Sequence, residues 1–187
     1  MDDSRFIRKY LDMYKQALFD SDVSKEMVEM RDLLLTAKKM SKKMILAGNG
    51  ASASIASHGA FDFSKQAGIR AVSFNEPGLI TAFSNDCGYE MWIRKALDIY
   101  ADPGDVVVLI SSSGSSANIV NAAKRAKSVG NPLVTFTGFE KDNPLKILGD
   151  INFWVDSRSY NIVENTHSIW LMAVCDLIIG KSEYKVG

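Results

Sequence analysis

Val106-Val107-Val108-Leu109-Ile110-Ser111-Ser112-Ser113-Gly114-Ser115-Ser116 is a run of five branched apolar residues that passes at once into serines around one glycine. Five such residues are too few for a helix and suit a strand buried on both faces. The spacing after them, over 115–129, is helical. In a strand-turn-helix unit, the turn's backbone N–H groups and the first unpaired N–H groups of the helix point at one spot. The helix dipole adds partial positive charge there. Small hydroxyl side chains let an anion sit close and donate further hydrogen bonds to it. The simplest ligand for such a turn is a phosphate ester.

A second unit has the same construction. Met44-Ile45-Leu46-Ala47 reads as a strand, Gly48-Asn49-Gly50-Ala51-Ser52 as the turn, and the helix follows. One Ser/Gly turn is usually only a loop and an N-cap. Two of them, both at strand ends and both opening helices, point to a shared ligand. Working outward, strands are expected near 43–47, 69–74, 105–110, 132–137 and 151–155. Helices are expected near 52–66, 77–84, 88–100, 115–129, 143–148 and 161–179. This alternation predicts an α/β fold, a three-layer sandwich with a mainly parallel five-stranded sheet. In a flavodoxin-like strand order the two turns flank one crevice at the topological switch point.

Two helices precede the first strand. Phe6, Tyr10, Tyr14 and Leu18 form one apolar stripe, with Ile7 and Leu11 beside it; Met27, Met30, Leu33, Leu34, Ala37 and Met40 form another. Between them Asp20-Ser21-Asp22 supplies N-capping residues. Residues 1–42 are therefore read as a helical arm of the same domain that holds the α/β unit at 43–187. Such an arm either pairs with another subunit or covers a sheet face. Gly180 is expected to cap the last helix, and Lys181 to Gly187 to form a polar tail.

Composition narrows the partners. The chain has 187 residues, 47% of them hydrophobic, enough for a full core. Its 22 basic and 22 acidic residues balance without a basic patch, so nucleic acid is not expected as a direct partner. The N-terminus lacks the apolar run of a signal peptide, and no membrane segment is expected; the reading is a soluble, cytoplasmic protein. Cys87 and Cys175 lie far apart, which suits reduced thiols.

Gly48-Asn49-Gly50-Ala51-Ser52, Asn85-Asp86-Cys87-Gly88 and Ser111 through Asn118 resemble the successive signatures of the sugar isomerase (SIS) domain, in its phosphoheptose isomerase branch. The resemblance implies an aldose-ketose isomerase acting on sedoheptulose 7-phosphate in bacterial surface-sugar synthesis. It also implies a homotetramer with active sites at subunit interfaces. Carried over by position, Ser111, Ser113 and Ser116 hold the phosphate, with Ser112 lending backbone. Asn49, Gly50, Ala51, Asn85 and Asp86 contact the sugar chain, and Ser52 serves either wall of the pocket.

Isomerisation needs a base beside carbon and an acid beside oxygen. In the resembling family a glutamate after the first turn and a histidine on the last helix fill these roles. Here Asp62 stands at the first position and Met172, which transfers no proton, at the second. Other groups are at hand. His58 and Asp62 share a helix face, and Glu164 and His167 share another. Glu164 interrupts an apolar helix, so it should face a polar pocket. The preferred assignment makes Glu164 or Asp62 the carbon base, with His167 or His58 assisting at oxygen. No cofactor is required, but His58 and Glu164 fall where some family members place zinc ligands. With Asp62 they would make a nitrogen-and-carboxylate set for a divalent metal.

Two alternatives stay open. Loss of the family histidine suits a noncatalytic SIS module that binds a sugar phosphate or a protein partner; some relatives serve as assembly factors for the replication initiator. Gly48-x-Gly50-x-x-Ala53 is also a loose match to the nicotinamide fingerprint, but no acid closes the second strand.

Overall fold

Alternate residues of each central strand face opposite apolar layers, and this decides the architecture. In the computed structural model, which describes residues 2–183, β1 (Met44–Gly48) sends Met44 and Leu46 to one layer and Ile45 and Ala47 to the other. β3 (Val106–Ser111) sends Val106, Val108 and Ile110 to the first layer and Val107 and Leu109 to the second. Burial on both faces leaves no polar alternation, as the continuous apolar runs predict.

β2 (Ala71–Ser73), β4 (Leu133–Thr137) and β5 (Ile151–Trp154) complete a five-stranded sheet of order β2-β1-β3-β4-β5 in which every pairing is parallel. This is the flavodoxin-like order expected from the sequence. β1 and β3 lie side by side, with Gly48 paired to Ile110, so the turns that follow them leave the same edge of the sheet. The chain winds to opposite sides from that point, which opens a crevice there.

The helices are α1 (Asp3–Phe19), α2 (Ser24–Lys39), α3 (Ala51–Lys65), α4 (Pro77–Cys87), α5 (Trp92–Tyr100), α6 (Ala117–Ser128), α7 (Pro144–Leu148) and α8 (Tyr160–Ile179). α2, α3 and α8 supply the first layer and α5 to α7 the second. α8 is long and apolar enough to cross a membrane, but Ile162, Val163, Trp170, Leu171 and Val174 are buried in the first layer. It is a core helix.

The N-terminal stripes divide. Met30, Leu34 and Ala37 of α2 are buried, whereas Met40 caps its C-terminus and is exposed. The expected cap from Asp20-Ser21-Asp22 is not the one used: the N-cap of α2 is Val23, without a capping side chain, and Asp22 Oδ1 accepts the Ser24 N–H at 3.0 Å from just outside the helix. Along α1, Phe6 stacks on Tyr10 and Tyr10 meets Tyr14 edge to face, yet Phe6, Ile7 and Leu11 stay more than half exposed. Gly180 adopts the left-handed conformation at the end of α8. Met1 and residues 184–187, most of the expected polar tail, lie outside the described residues.

Candidate functional site

At the carboxyl edge of the sheet, a cavity of about 100 Å³ is lined by Asn49, Ser52, Ser111, Ser112, Ser113, Ser116, Tyr160 and Glu164. Both turns therefore converge on one space. Ser111 ends β3, and the turn closes with the Gly114 N–H on the Ser111 carbonyl at 3.0 Å. The Ser113 hydroxyl accepts from the Ser115 N–H at 3.3 Å, so the loop turns on itself. Ser116 is the N-cap of α6, but its side chain makes no capping bond. Its hydroxyl is thus free of the helix, and a helix start of this kind can receive an anion, although the Ile119 N–H is already taken by Asn118 Oδ1. Ser52, in the first turn of α3, is almost fully buried against the same space.

Glu164 is the one charged side chain among the lining residues. The Ser112 hydroxyl donates to its Oε1 at 3.4 Å, so the acid takes part of the hydrogen bonding that the loop offers an anion. Behind it, α8 is clamped to the end of β4. Gly138 lies so close to α8 that an added Cβ would stand 2.7 Å from Val163 Cγ1. The Gly138 N–H in turn donates to the Ser112 carbonyl at 2.9 Å.

His167 lies one turn beyond Glu164 but points into the core. It is fully buried, edge-on to Phe136, with Nε2 bonded to the Thr137 carbonyl at 2.9 Å. The carbonyl can only accept, so Nε2 carries the hydrogen and Nδ1 is bare. This corrects the expectation that His167 shares the working face of Glu164: its ring fastens α8 to β4. Met172, which the resemblance sets at the position of the family histidine, packs against the core.

Burial pushes the His167 pKa down to about 4. The folded protein keeps the ring neutral where the unfolded chain, with a pKa near 6.5, takes up a proton. Stability should therefore fall as pH drops from about 6.5 towards 4, by about 3 kcal/mol from this group. Urea unfolding across that range checks the decline, and His167→Gln should flatten it.

His58 and Asp62 pair with each other, His58 Nε2 to Asp62 Oδ2 at 3.1 Å, on the outer face of α3. Neither lines the cavity: from Ser52 in its wall, six residues of helix to His58 span about 9 Å and ten to Asp62 about 15 Å at 1.5 Å per residue. Burial pushes the Cys175 thiol up to about 11, and the negative charge of Asp62 adds to the shift. Among the described residues no three His, Cys, Asp or Glu side chains come together to hold a metal. The set His58, Asp62 and Glu164 does not fit a metal ion within one chain.

The sugar-chain residues are only partly assembled. Asn49 is in the cavity wall; Gly50 and Ala51 open α3 beside it without lining it. Asn85 and Asp86 were expected in the segment leading to the next helix. They instead form the last turn of α4, exposed and bonded to each other at 3.0 Å, because the helix runs on to Cys87. Sequence reasoning missed Tyr160, which lines the cavity, and Asn118 and Tyr89, which hold Asn49. Asn118 was within the quoted signature, but nothing in the sequence marked its partner.

The SIS domain family model matches residues 9–138, more than half of the chain and both turns. The chain belongs to the SIS domain family. This SIS chain is 33% identical over 153 residues to the phosphoheptose isomerase of Geobacter metallireducens, covering 78% of its own length and 80% of that protein. Among solved structures it resembles a phosphoheptose isomerase from Neisseria gonorrhoeae, with a TM-score of 0.85 at 26% identity, covering 96% of this chain and all of that one. A phosphoheptose isomerase from Francisella tularensis shares the fold, with a TM-score of 0.89 at 22% identity over 97% of this chain and all of that one.

Proposed function

We propose that this SIS protein is a phosphosugar aldose-ketose isomerase with sedoheptulose 7-phosphate as the favoured substrate. The observation that carries the reading is the meeting of Glu164 and the serine loop in one cavity, where Ser112 bonds the carboxylate. An anchor for the phosphate and a base for the carbon chain then stand side by side in one cavity. The likeness to phosphoheptose isomerases over nearly the whole chain supports the same reaction class.

In this reading Ser111, Ser113, Ser116 and the α6 N-terminus hold the phosphate, and Asn49 contacts the sugar. Glu164 takes the proton from the carbon beside the carbonyl. The bonding electrons form an enediolate, and the proton returns to the neighbouring carbon as the carbonyl moves. A second group must shuttle the proton between the two oxygens. His167 is turned away, so this role falls to the His58–Asp62 pair of a neighbouring subunit. Both residues lie on an outward face of α3 beside Phe61, which is 59% exposed. The uncovered stripe of α1 supplies a further surface for assembly as a homotetramer. Residues 1–42 and 43–187 act as one domain, located in the cytoplasm.

Deuterium exchange tests the reaction. Protein in heavy water with sedoheptulose 7-phosphate, and with a panel of other ketose and aldose phosphates, should put deuterium at C1 or C2 as the isomer appears. Asp62→Asn should lower this rate by about a hundredfold or more with little change in melting temperature. Mixing Asp62→Asn with Glu164→Gln should restore part of the activity in hybrid oligomers if the two groups come from different subunits. Met172 favours the other reading, a noncatalytic sugar-phosphate module. Binding without any carbon exchange would decide for it.

A further inference from the structure

Asn49 has a carboxamide that cannot turn. The constraint begins at the third residue of α6, Ile119, whose N–H can only donate and has no backbone carbonyl to meet in the first turn. It donates to Asn118 Oδ1 at 3.0 Å. Asn118, itself buried, must therefore present that oxygen to Ile119, which directs its Nδ2 towards Asn49. There Asn118 Nδ2 donates to Asn49 Oδ1 at 2.8 Å, and Asn49 Nδ2 donates back to Asn118 Oδ1 at 3.0 Å. The Tyr89 hydroxyl gives Asn49 Oδ1 a second hydrogen bond at 3.0 Å.

Asn49 Oδ1 has both lone pairs engaged, and one Nδ2 hydrogen is bound to Asn118. One N–H remains, on a residue that lines the cavity. Asn49 can offer a ligand a donor and has no acceptor left.

Tyr89 reaches this place by a purpose-built loop. Gly88, at φ 87°, turns the chain out of α4 in a conformation that L side chains rarely adopt. Asn121, one turn after Asn118 on α6, donates to the Glu90 carbonyl at 2.9 Å. One face of α6 thus holds both the carboxamide and the loop that locks it. Tyr89 is 54% exposed, so its contact with Asn49 is not a by-product of core packing.

We propose that Tyr89 and Asn118 are positioning residues that lock the Asn49 carboxamide with its N–H towards the cavity, so that the site reads an acceptor oxygen of the phosphorylated sugar at that point. This rests on the function proposed above. Tyr89→Phe removes one of the two bonds to Oδ1 and should raise KM for sedoheptulose 7-phosphate about three- to tenfold, with a smaller change in kcat. Asn118→Asp keeps an oxygen for Ile119 but sets a second oxygen against Asn49 Oδ1; KM should rise more than about tenfold. Melting temperature should hold in Tyr89→Phe, because the side chain is exposed.

A readout independent of turnover accompanies the kinetics. In nitrogen-15 spectra of the full chain, the Asn49 side-chain amide should be shifted and slow to exchange in the wild type, and should move towards a free amide in both variants. KM rises with collapsed amide protection support the lock. Unchanged Asn49 signals in both variants overturn it, whatever the substrate. Absence of turnover and of sugar-phosphate binding by the wild type overturns the functional reading alone.

Discussion

Glu164→Gln is expected to lower turnover about a hundred- to ten-thousandfold, the range lost when a positioned general base is removed. The amide has the same shape and can still accept from Ser112, so folding should be unaffected. What it lacks is basicity. Among the described residues Glu164 is also the only charged side chain lining the cavity, and a carboxylate beside a phosphate is repulsive. The variant should therefore bind sedoheptulose 7-phosphate at least as tightly as the wild type while exchanging its carbon proton far more slowly. Calorimetry and deuterium incorporation separate the two effects. A near-normal exchange rate would remove Glu164 from the carbon-base role.

Gly114→Ala should destabilise the fold by about 3 kcal/mol and weaken phosphate-ester binding by about a hundredfold or more. Gly114 sits in the serine loop at φ 63°, and an added Cβ would stand 1.9 Å from Asn143 Oδ1. Asn143 cannot step aside. It is buried, donates to the Gly138 and Glu140 carbonyls, and through Oδ1 caps α7 on the Lys146 N–H at 2.9 Å. The Gly114 carbonyl also accepts the Leu145 N–H at 2.9 Å, so the loop and α7 move together. Gly130→Ala is the control. At φ 75° with nothing near its Cβ, it isolates backbone strain, about 1 kcal/mol. Urea unfolding and titration with phosphate ester read both variants; equal losses would mean that the contact with Asn143 is relieved cheaply.

The fold was open to reading because its signals are local. Val106 to Ile110 could only be a strand covered on both faces, and the alternation of strands and helices implied a parallel sheet before any contact was known. The serine loop was equally legible, since small hydroxyl residues after a strand and before a helix carry their chemistry in their own backbone. Helix ends were harder. α4 runs through Asn85 and Asp86 to Cys87, where Gly88 turns the chain, whereas the sequence pattern ends that helix near residue 84.

Side-chain direction was the larger difficulty. Glu164 and His167 are three apart and share a face by spacing alone, which made both seem available to a ligand. Three residues advance a helix by 300°, however, so the two side chains diverge by about 60°. At the edge of a core that angle separates solvent-filled cavity from protein interior. Glu164 meets Ser112 while His167 meets Thr137 and Phe136. His58 and Asp62 were correctly paired by their spacing but stand on a face that their own chain leaves open.

The sequence by itself determined the parallel α/β sheet, the two turns that open helices at its carboxyl edge, and the serine loop that lines the cavity there. These follow from hydrophobic period, turn chemistry and backbone N–H groups, all settled within a few residues. Only the tertiary structure decided which acid enters the cavity, that the neighbouring histidine is a buried fastening, and that Asn118 and Tyr89 orient Asn49. Those outcomes depend on which helix faces meet which strand ends, and on hydrogen bonds between residues 40 and 69 positions apart, which no local pattern encodes.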